Sequence, residues 1–287
     1  MDHRPARLAP GLYFVATPIG TARDITLRAL DVLASADVLA AEDTRTLRKL
    51  MEIHAVPAGD RPIIAYHEHN GPKVRPRLLA MLAEGKSVAY ASEAGTPLVS
   101  DPGFVLAREA IAAGADVTAA PGPSAVMAAL TVAGLPTDRF FFAGFAPAAQ
   151  GARRSYLESL VAVPGTLVFF ESPKRVGKLL TDMAEVLGGT RQAAVCRELT
   201  KKFEETRRGT LQALAAQYAG TPPRGEVVVL VDRAGAEAAA SDDEIAAALR
   251  DHMAEGSLKD AVAAVSAAYG RPRKAVYQMA LALAKGD

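Results

Sequence analysis

Residues 91–103 read Ala-Ser-Glu-Ala-Gly-Thr-Pro-Leu-Val-Ser-Asp-Pro-Gly. An apolar run, Ser87-Val88-Ala89-Tyr90, precedes it, and a helical pattern over residues 104–113 follows it. That order predicts a strand, a glycine-rich loop and a helix, in which Gly95 and Gly103 let the backbone turn. Loops of this kind hold small polar ligands in α/β proteins. An ordinary strand-to-helix turn is an equally good interpretation of one such loop alone.

The same order of strand, loop and helix recurs along the first half of the chain. Apolar runs predict five strands, over residues 11–17, 38–41, 63–66, 87–91 and 116–120. Amphipathic patterns separate them, and Asp24 is the predicted N-cap of the helix that carries Leu30 and Leu33. Strands that alternate with helices in this way predict a parallel sheet in a layered α/β domain.

A change of composition at Gly134-Leu135-Pro136-Thr137-Asp138 predicts a linker between two domains. Beyond it, the predicted strands cover residues 139–145, 166–170, 192–198, 203–208 and 226–232. Their connections are both hairpins and crossovers, which predicts a mixed sheet with helices. We therefore expect an N-terminal α/β domain over residues 1–134 and a C-terminal α/β domain over residues 135–234.

The sequence of residues 241–287 predicts a third unit, made of three short helices after an alanine-rich linker. Ser241 and Glu244 have the spacing of a capping box, and Ser257 is the predicted cap of the second helix. A Gly-Arg-Pro turn at residues 270–272 precedes the basic third helix. This pattern resembles a helix-turn-helix that binds nucleic acid, and a small helical packing module is an equal alternative.

The charge balance and the cysteine content narrow the class of protein. The chain has 287 residues, of which 50% are hydrophobic, enough for more than one core. A formal net charge of +1 argues against a strongly basic nucleic-acid coating protein but permits a local basic cleft. A single cysteine, Cys196, excludes an internal disulfide and is typical of the cytoplasm. We expect no signal peptide in residues 1–10 and no membrane helix, which needs about 20 apolar residues.

Polar motifs follow the predicted strands of the first half at their carboxyl ends. Thr17-Pro18-Ile19-Gly20-Thr21 permits close approach of a ligand without matching the dinucleotide fingerprint. Pro121-Gly122-Pro123-Ser124-Ala125 opens a helix whose free backbone N–H groups can bind a carboxylate or a hydroxyl. Glu42-Asp43-Thr44-Arg45 either orients a substrate or is an ion-paired helix start capped by its aspartate. His67-Glu68-His69-Asn70 is interpreted as a polar substrate-facing loop in preference to a metal site.

Two strand ends of the second half carry clustered cations. Glu171-Ser172-Pro173-Lys174-Arg175 ends one strand, and Arg197-Glu198-Leu199-Thr200-Lys201-Lys202 ends another. Cations at such positions can hold phosphates, and a solvated charge is the alternative interpretation of Lys202. Gly225 opens the final strand, where it lets a ligand lie against the backbone.

Together these motifs resemble those of the bacterial 16S ribosomal RNA (cytidine-2′-O)-methyltransferases of the decoding centre, within the tetrapyrrole methylase superfamily. The likeness spans about residues 11–233 and preserves the order of nine motifs, which are Thr17–Gly20, Glu42–Arg45, His67–Asn70, Ser92–Pro97, Asp101–Gly103, Pro121–Ala125, Glu171–Arg175, Arg197–Lys201 and Gly225–Glu226. The three predicted tail helices are similar to the helix-turn-helix extension of this family. The chain departs from the usual pattern at Glu93, where the family has Asp, and at Thr21-Ala22, where it has Asn-Leu.

The resemblance implies two α/β domains of the tetrapyrrole methylase type, the class III methyltransferase fold, with S-adenosylmethionine (SAM) in the cleft between them, and a homodimer. It implies cofactor contacts at Pro18, Ser92, Glu93, Gly95, Thr96, Pro97, Ser124, Ala125, Phe170, Glu171, Gly225 and Glu226. The implied substrate is cytidine 1402 of 16S ribosomal RNA, free or within the 30S subunit, methylated on its 2′-hydroxyl in the cytoplasm. We expect substrate contacts at Arg45, His67, His69, Asn70, Lys174, Arg175 and Arg197, and no metal.

Methyl transfer from a sulfonium requires an in-line oxygen nucleophile, and a base that takes the hydroxyl proton assists it. Three residues remain open as that base: Lys201, if burial lowers its pKa, Glu198 and Asp43. Two other functions are alternatives, a methylase of a tetrapyrrole or other small molecule, and a non-enzymatic regulator that binds nucleic acid through the helix-turn-helix. The basic tail favours RNA over the small molecule. The small share of the chain in the tail disfavours the regulator.

Overall fold

A computed structural model describes residues 4–99, 103–220, 222–234, 242–269 and 273–285. The chain forms two compact units, Met1–Arg233 and Ala234–Asp287. The larger unit contains two five-stranded sheets, and the smaller unit is helical. The division of the larger unit into domains at residue 134 stays a prediction, because both sheets belong to one compact unit.

The first sheet is parallel, as the alternation of strands and helices predicts. Its strands are β1 (Gly11–Val15), β2 (Val38–Ala41), β3 (Ile63–Ala65), β4 (Ser87–Ala91) and β5 (Val117–Ala120). They lie in the order β3-β2-β4-β1-β5, and all four pairings are parallel. The helices between and after them are α1 (Leu27–Ser35), α2 (Thr44–Ile53), α3 (Gly71–Ala83), α4 (Gly103–Ala112) and α5 (Ala125–Ala133).

Two apolar cores cover the two faces of this sheet. Leu12 and Phe14 of β1 belong to the core that α3 and α4 complete, whereas Val15 belongs to the core that α1 and α2 complete. A strand buried on both faces is a nearly continuous apolar run, which is why β2 and β4 are buried at every position. The carboxyl ends of these strands, with their polar motifs, consequently lie at one edge of the sheet.

The start of α1 differs from the prediction. Thr26 is the N-cap, because its Oγ1 accepts a hydrogen bond from the backbone N–H of Ala29 at 3.1 Å. The predicted cap, Asp24, lies instead in a single 3-10 turn over Ala22–Asp24. The chain then runs extended at Ile25 before the helix begins, so the aspartate is two residues too early to cap it.

The second sheet is mixed, as predicted. Its strands are β6 (Phe140–Phe145), β7 (Thr166–Glu171), β8 (Gln192–Arg197), β9 (Glu205–Thr210) and β10 (Val227–Val231), in the order β6-β7-β10-β8-β9. Only the β6–β7 pairing among these four is parallel. Three helices cover one face, α6 (Gln150–Glu158), α7 (Val176–Leu187) and α8 (Leu211–Gln217).

The other face of the second sheet is covered by a helix from the first half of the chain. Val126, Ala129 and Leu130 of α5 share an apolar core with Val168 of β7 and Val228 of β10. A helix that follows the first sheet in sequence therefore packs on the second sheet. This shared core holds the loops of both sheets in a fixed arrangement.

The smaller unit consists of α9 (Asp242–Glu255), α10 (Leu258–Ala268) and α11 (Arg273–Lys285). Its core includes Ile245, Leu249, Val265 and Val276, which are fully buried. Ser257 caps α10 as predicted, since its Oγ accepts from the backbone N–H of Asp260. The predicted cap at Ser241 lies outside the described residues. Among the helices that are described, none is long and apolar enough to span a membrane.

Candidate active site

A cavity of about 320 Å³ lies where loops of the two sheets meet. Loops after β1, β4 and β5 form one wall, and the end of β7 with the start of β10 forms the other. The cavity is lined by eight of the twelve predicted cofactor residues, Gly95, Thr96, Ser124, Ala125, Phe170, Glu171, Gly225 and Glu226. The fold therefore brings together residues that are up to about 130 positions apart in the sequence (95 to 226).

The loop after β4 is held by the loop after β1. Backbone N–H groups of Thr17 and Gly95 each donate to the other residue's carbonyl at 3.0 Å. Gly95 has a φ of +80°, and a Cβ there would come within 3.2 Å of Ile19 Cγ2. Ser92 is buried behind this loop, where its Oγ donates to the Gly95 carbonyl at 2.5 Å. Ser92 thus fixes the loop from behind and does not line the cavity.

A hydrogen bond ties the loop after β5 to the loop after β4. Thr96 Oγ1 donates to the carbonyl of Pro123 at 2.9 Å. The next residue, Ser124, is the N-cap of α5, yet its side chain makes no capping hydrogen bond. Ser124 and Ala125 line the cavity, so the Ser124 hydroxyl and the backbone N–H groups in the first turn of α5 are available to a ligand there.

On the opposite wall, Glu171 at the end of β7 is paired with Arg175. Nε of Arg175 lies 2.7 Å from Oε1 of Glu171, and a terminal nitrogen lies 2.9 Å from Oε2. The backbone N–H of Ser172 also donates to Oε1, at 2.6 Å, and Arg175 donates to the Ala146 carbonyl at 2.7 Å. The hydrogen bond to Glu171 raises the pKa of Arg175. Arg175, a predicted substrate contact, is therefore engaged by a carboxylate that is almost fully buried.

Lys201 lies beside the cavity between two carboxylates. Its Nζ is 2.9 Å from Oε1 of Glu198 and 2.7 Å from Oε2 of Glu226. Burial by itself lowers the pKa of Lys201, but the hydrogen bonds to Glu226 and Glu198 outweigh burial and raise it above 10.5. The net shift is therefore opposite to the lowered pKa that Lys201 would need to act as the base.

Neighbouring groups also hold the Glu198 carboxylate in place. The backbone N–H of Glu226 donates to Oε1 of Glu198 at 3.0 Å. That bond and the Lys201 ammonium hold the pKa of Glu198 below its ordinary 4.5. A Cβ at Gly225, whose φ is +91°, would lie 2.2 Å from the Glu198 carboxyl, so no larger residue fits there without displacing it.

The loop after β8 also contacts the first half of the chain. Thr200 has a φ of +63°, and its Oγ1 accepts from the backbone N–H of Thr21 at 3.2 Å. A Cβ at Gly20 would lie 2.5 Å from the same Oγ1 and 2.6 Å from Lys201 Cγ. Gly20 therefore permits close approach of another loop of this chain, whereas the sequence pattern suggested approach of a ligand.

Asp43 and Arg45 form the ion-paired helix start that was one of the two interpretations. Oδ1 of Asp43 accepts from the backbone N–H groups of Arg45 and Thr46, which makes Asp43 the cap of α2. Hydrogen bonds from Arg45 lower the pKa of Asp43 to about 2. A carboxylate with so low a pKa is a weak base, so the geometry does not favour Asp43 in proton transfer.

The loop after β3 is organised by Asn70. Its Oδ1 accepts from the backbone N–H of His67, and its Nδ2 donates to the Ala65 carbonyl, both at 2.9 Å. The rings of His67 and His69 lie 6.0 Å apart, edge to face. In the described part of the chain, His67 Nδ1 is buried without a hydrogen-bond partner, and no group of three or more possible metal ligands occurs.

The remaining predicted residues are two substrate contacts and four cofactor contacts. Lys174 is exposed, whereas Arg197 donates to Glu205 at 3.2 Å and to the Arg224 carbonyl at 3.3 Å. Four predicted cofactor residues do not line the cavity, namely Pro18, Ser92, Glu93 and Pro97. Glu93, where the resembled family has Asp, is exposed and does not line the cavity.

Sequence reasoning missed half of the cavity wall. The missed residues are mostly apolar neighbours of predicted ones, namely Ile19, Ala94, Val99, Phe145, Ser172, Pro173, Val227 and Val228. Phe145 is 57% exposed, and its ring lies 5.7 Å from that of Phe170. An aromatic residue at the end of β6 was a usable signal, because aromatic rings recur in ligand pockets.

Comparison with known proteins identifies the family and agrees with the fold. Residues 11–215 match the family of Tetrapyrrole (Corrin/Porphyrin) Methylases, and residues 239–284 match the RsmI C-terminal HTH domain. A cobalt precorrin-4 methyltransferase of cobalamin biosynthesis has the same fold, with a TM-score of 0.59 at 20% identity over 78% of this chain and 95% of that one. A Thermus thermophilus uroporphyrin-III C-methyltransferase, complexed with S-adenosyl homocysteine, has a TM-score of 0.53 at 21% identity over 77% and 96%.

Curated relatives match over nearly the whole chain. A ribosomal RNA small subunit methyltransferase I from Mesorhizobium japonicum is 51% identical over 97% of this chain and 94% of its own length. The protein of the same name from Escherichia coli O157:H7 is 41% identical over 98% of both chains. These relatives include the tail as well as both sheets. The chain belongs to the tetrapyrrole methylase family and, within it, to the small-subunit ribosomal RNA methyltransferases.

Proposed function

We propose that this chain transfers a methyl group from SAM to the ribose 2′-hydroxyl of a cytidine in the decoding centre of 16S ribosomal RNA. The observation that carries the proposal is the cavity between the two sheets, in a chain whose full-length relatives are ribosomal RNA methyltransferases. Ligand cavities in α/β proteins lie outside the carboxyl ends of the strands, as this one does.

The cavity suits SAM in size and in chemistry. Its volume is within the range of small-molecule sites, roughly 300–1,000 Å³. Two aromatic rings and several aliphatic side chains offer apolar surface, and the loops after β4 and β5 offer backbone groups. Gly95 and Gly225 line the cavity with positive φ, and a Cβ at either would press on a neighbouring side chain, Ile19 Cγ2 at 3.2 Å or the Glu198 carboxyl at 2.2 Å. We assign the cofactor to the eight predicted residues that line the cavity, and Ser92 to holding their loop.

When bound, SAM supplies a methyl group that is activated by its sulfonium. The chain has to position a ribose hydroxyl in line with that methyl and accept the hydroxyl proton. We propose Glu198 as the proton acceptor, because its carboxylate lies beside the cavity, where the Lys201 ammonium and the backbone N–H of Glu226 hold it in place. Lys201 is a positioning residue in this proposal, since its ammonium joins Glu198 to Glu226.

We propose that Lys174, His67 and His69 contact the RNA directly. Lys174 is an exposed cation, and the histidines lie on a loop at the same end of the first sheet as the cavity loops. Arg175 and Arg197 act mainly through the carboxylates that they hold. Arg45 keeps Asp43 in place at the start of α2 and presents an exposed guanidinium, which leaves it available to a phosphate.

We also propose that the enzyme is a cytoplasmic homodimer. The support is the edge strand β6, whose Phe140, Phe141 and Phe145 are all more than 40% exposed. Large apolar side chains on an unpaired sheet edge are typical of an interface between subunits. Light scattering of the purified chain measures its mass, and a monomer at every concentration would contradict this part of the proposal.

A methyl-transfer assay tests the function. The chain is incubated with SAM carrying a labelled methyl group and, in parallel, with 30S subunits, free 16S ribosomal RNA or uroporphyrinogen. We expect label in RNA, recovered as 2′-O-methylcytidine after digestion. Label in the tetrapyrrole alone would favour the small-molecule alternative. Absence of SAM binding by calorimetry, with RNA binding retained, would favour the non-enzymatic regulator.

A further inference from the structure

The tail unit contains a groove that the methyl-transfer site does not use. It has a volume of about 290 Å³ and lies between α10 and α11. Six residues line it, namely Lys259, Val262, Ala263, Arg273, Lys274 and Tyr277. Val262 belongs to the buried core of the unit, so the floor of the groove is apolar and fixed. The volume is close to the lower end of the range for small-ligand sites, about 300 Å³.

The three cations of the groove are available to an anion. Lys259, Arg273 and Lys274 are exposed and make no ion pair or hydrogen bond with any other residue that the structure describes. Three positive charges around one concave surface attract a phosphate and gain energy by releasing its counterions. The groove is therefore complementary to a polyanion in charge.

Tyr277 adds a flat apolar face beside these charges. It is 44% exposed, and it lies three and four positions after Lys274 and Arg273, so all three side chains project from one face of α11. An exposed aromatic ring between cations is the arrangement with which proteins stack an unpaired base and hold its phosphate. A concave groove of this size accepts one splayed base, whereas the grooves of an RNA duplex present no such base.

We propose that this groove binds one unstacked nucleotide of single-stranded RNA, with the base on Tyr277 and the flanking phosphates on Lys259, Arg273 and Lys274. The proposal deepens the proposed function, on which it rests for the choice of RNA as the partner. It gives the tail the task of holding an unpaired stretch of the substrate, separate from the cavity that holds SAM.

The test uses the full chain and a fluorescent single-stranded RNA of about 12 nucleotides, within the site sizes known for single-strand binders. Tyr277→Phe keeps the stacking ring, and we expect unchanged affinity. Tyr277→Leu keeps an apolar helix-forming side chain without the ring, and we expect roughly 5- to 150-fold weaker binding, the loss of one stacked base. Circular dichroism of both variants verifies that the tail remains helical.

Charge and strand specificity are tested on the same RNA. Lys274→Gln is expected to reduce the salt slope of binding by about one unit. Arg250→Gln, which removes an exposed cation of α9 outside the groove, is the matched control and is expected to leave the slope unchanged. Equal affinity of Tyr277→Leu and the native chain, or equal binding of duplex and single strand, would overturn the proposal.

Failure of this proposal is distinguishable from failure of the proposed function. RNA binding is measured without SAM, whereas methyl transfer is measured on 30S subunits. A Tyr277→Leu chain that binds RNA normally and methylates 30S subunits refutes the groove and leaves the function intact. A native chain that stacks RNA in the groove and methylates no RNA supports the groove and refutes the function.

Discussion

The loops around the cavity and the groove of the tail both carry cations, but they use them in opposite ways. At the cavity, Arg175 and Lys201 are held by carboxylates at 2.7–2.9 Å. In the tail groove, Lys274 and its two cationic neighbours have no such partner among the described residues. In these two regions, the paired cations fix the geometry of loops, whereas the unpaired cations are available to a ligand's phosphates.

This difference assigns two tasks to cations that look alike in the sequence. Those at the cavity fix loops, and those in the tail groove are available to bind RNA. The Glu171 carboxylate is almost fully buried, and a buried carboxylate without its partner is costly, so Arg175 is required for the wall of the cavity. The tail cations make no ion pair or hydrogen bond that the structure describes, so we expect their substitution to leave the fold intact. Mutations should therefore divide into those that damage SAM binding and those that damage RNA binding.

The largest expected effect comes from filling the cavity. Gly95→Val places a branched side chain at a φ of +80° and against Ile19 and the ligand, so SAM binding should weaken by more than about tenfold. Gly85→Val is the matched control, because Gly85 has nearly the same φ, +77°, with no atom near its missing Cβ. Calorimetry with SAM measures both variants. Equal losses in both would show that backbone strain, and not the cavity, is responsible.

A second comparison uses two adjacent cations. Arg175→Met leaves the buried Glu171 carboxylate without its guanidinium, which should lower the free energy of unfolding by about 1–3 kcal/mol and weaken SAM binding. Lys174→Met removes an exposed charge, which should leave stability unchanged and reduce the salt slope of RNA binding by about one unit. Thermal unfolding and fluorescence titration measure these effects. The same outcome for both variants would contradict the division between paired and unpaired cations.

A third prediction concerns proton transfer. Lys201→Met removes the ammonium that aligns Glu198, and kcat should fall by about 100-fold. Glu198 should then lose the charge that lowers its pKa, so the acid limb of the kcat profile should move to higher pH. Lys202→Met, which removes a neighbouring exposed cation, should change neither. An unmoved acid limb in Lys201→Met would exclude Glu198 as the proton acceptor.

The same pair predicts how stability depends on pH. The pKa of Glu198 is lowered by folding, so its contribution is present above about pH 4.5 and is lost as the pH falls below that value. The pKa of Lys201 is raised, so its contribution is complete below about pH 10.5 and is lost as the pH rises through the higher folded value. Both contributions are therefore present at neutral pH.

The smallest expected effect comes from removing one cap in each unit. Ser257→Ala removes the hydroxyl that caps α10, and Thr26→Ala removes the one that caps α1, each at a cost of about 1 kcal/mol. Hydrogen exchange followed by mass spectrometry should show faster exchange in the tail for the first variant and in the larger unit for the second. Faster exchange in both units for either variant would mean that they unfold together.

The sequence predicted the sheets and the loops well, because these depend on local patterns. The alternation of apolar runs predicted the parallel sheet, and Gly95, Ser124 and Gly225 were found from turn and strand-end signals. Hydrogen bonds between distant residues were not predictable in the same way. Thr21 and Thr200 are 179 positions apart, and nothing local indicates that one donates to the other.

The chemical role of a residue was harder to predict than its position beside the cavity. Lys201 was a candidate base because burial lowers a lysine pKa, and burial does act in that direction. The two carboxylates that reverse the effect come from the same loop and from the start of β10, 25 positions away. Their approach depends on the packing of β8 beside β10, which periodicity does not specify.

Removal of the tail is the most direct test of the division of tasks. A chain that ends at Ala240 retains every residue of the cavity and the apolar cores of the larger unit. We predict that it folds, binds SAM with unchanged Kd and methylates 30S subunits with an apparent KM raised by about tenfold or more, equal to about 1.4 kcal/mol of lost binding. An unaltered KM, or loss of SAM binding on truncation, would contradict the account.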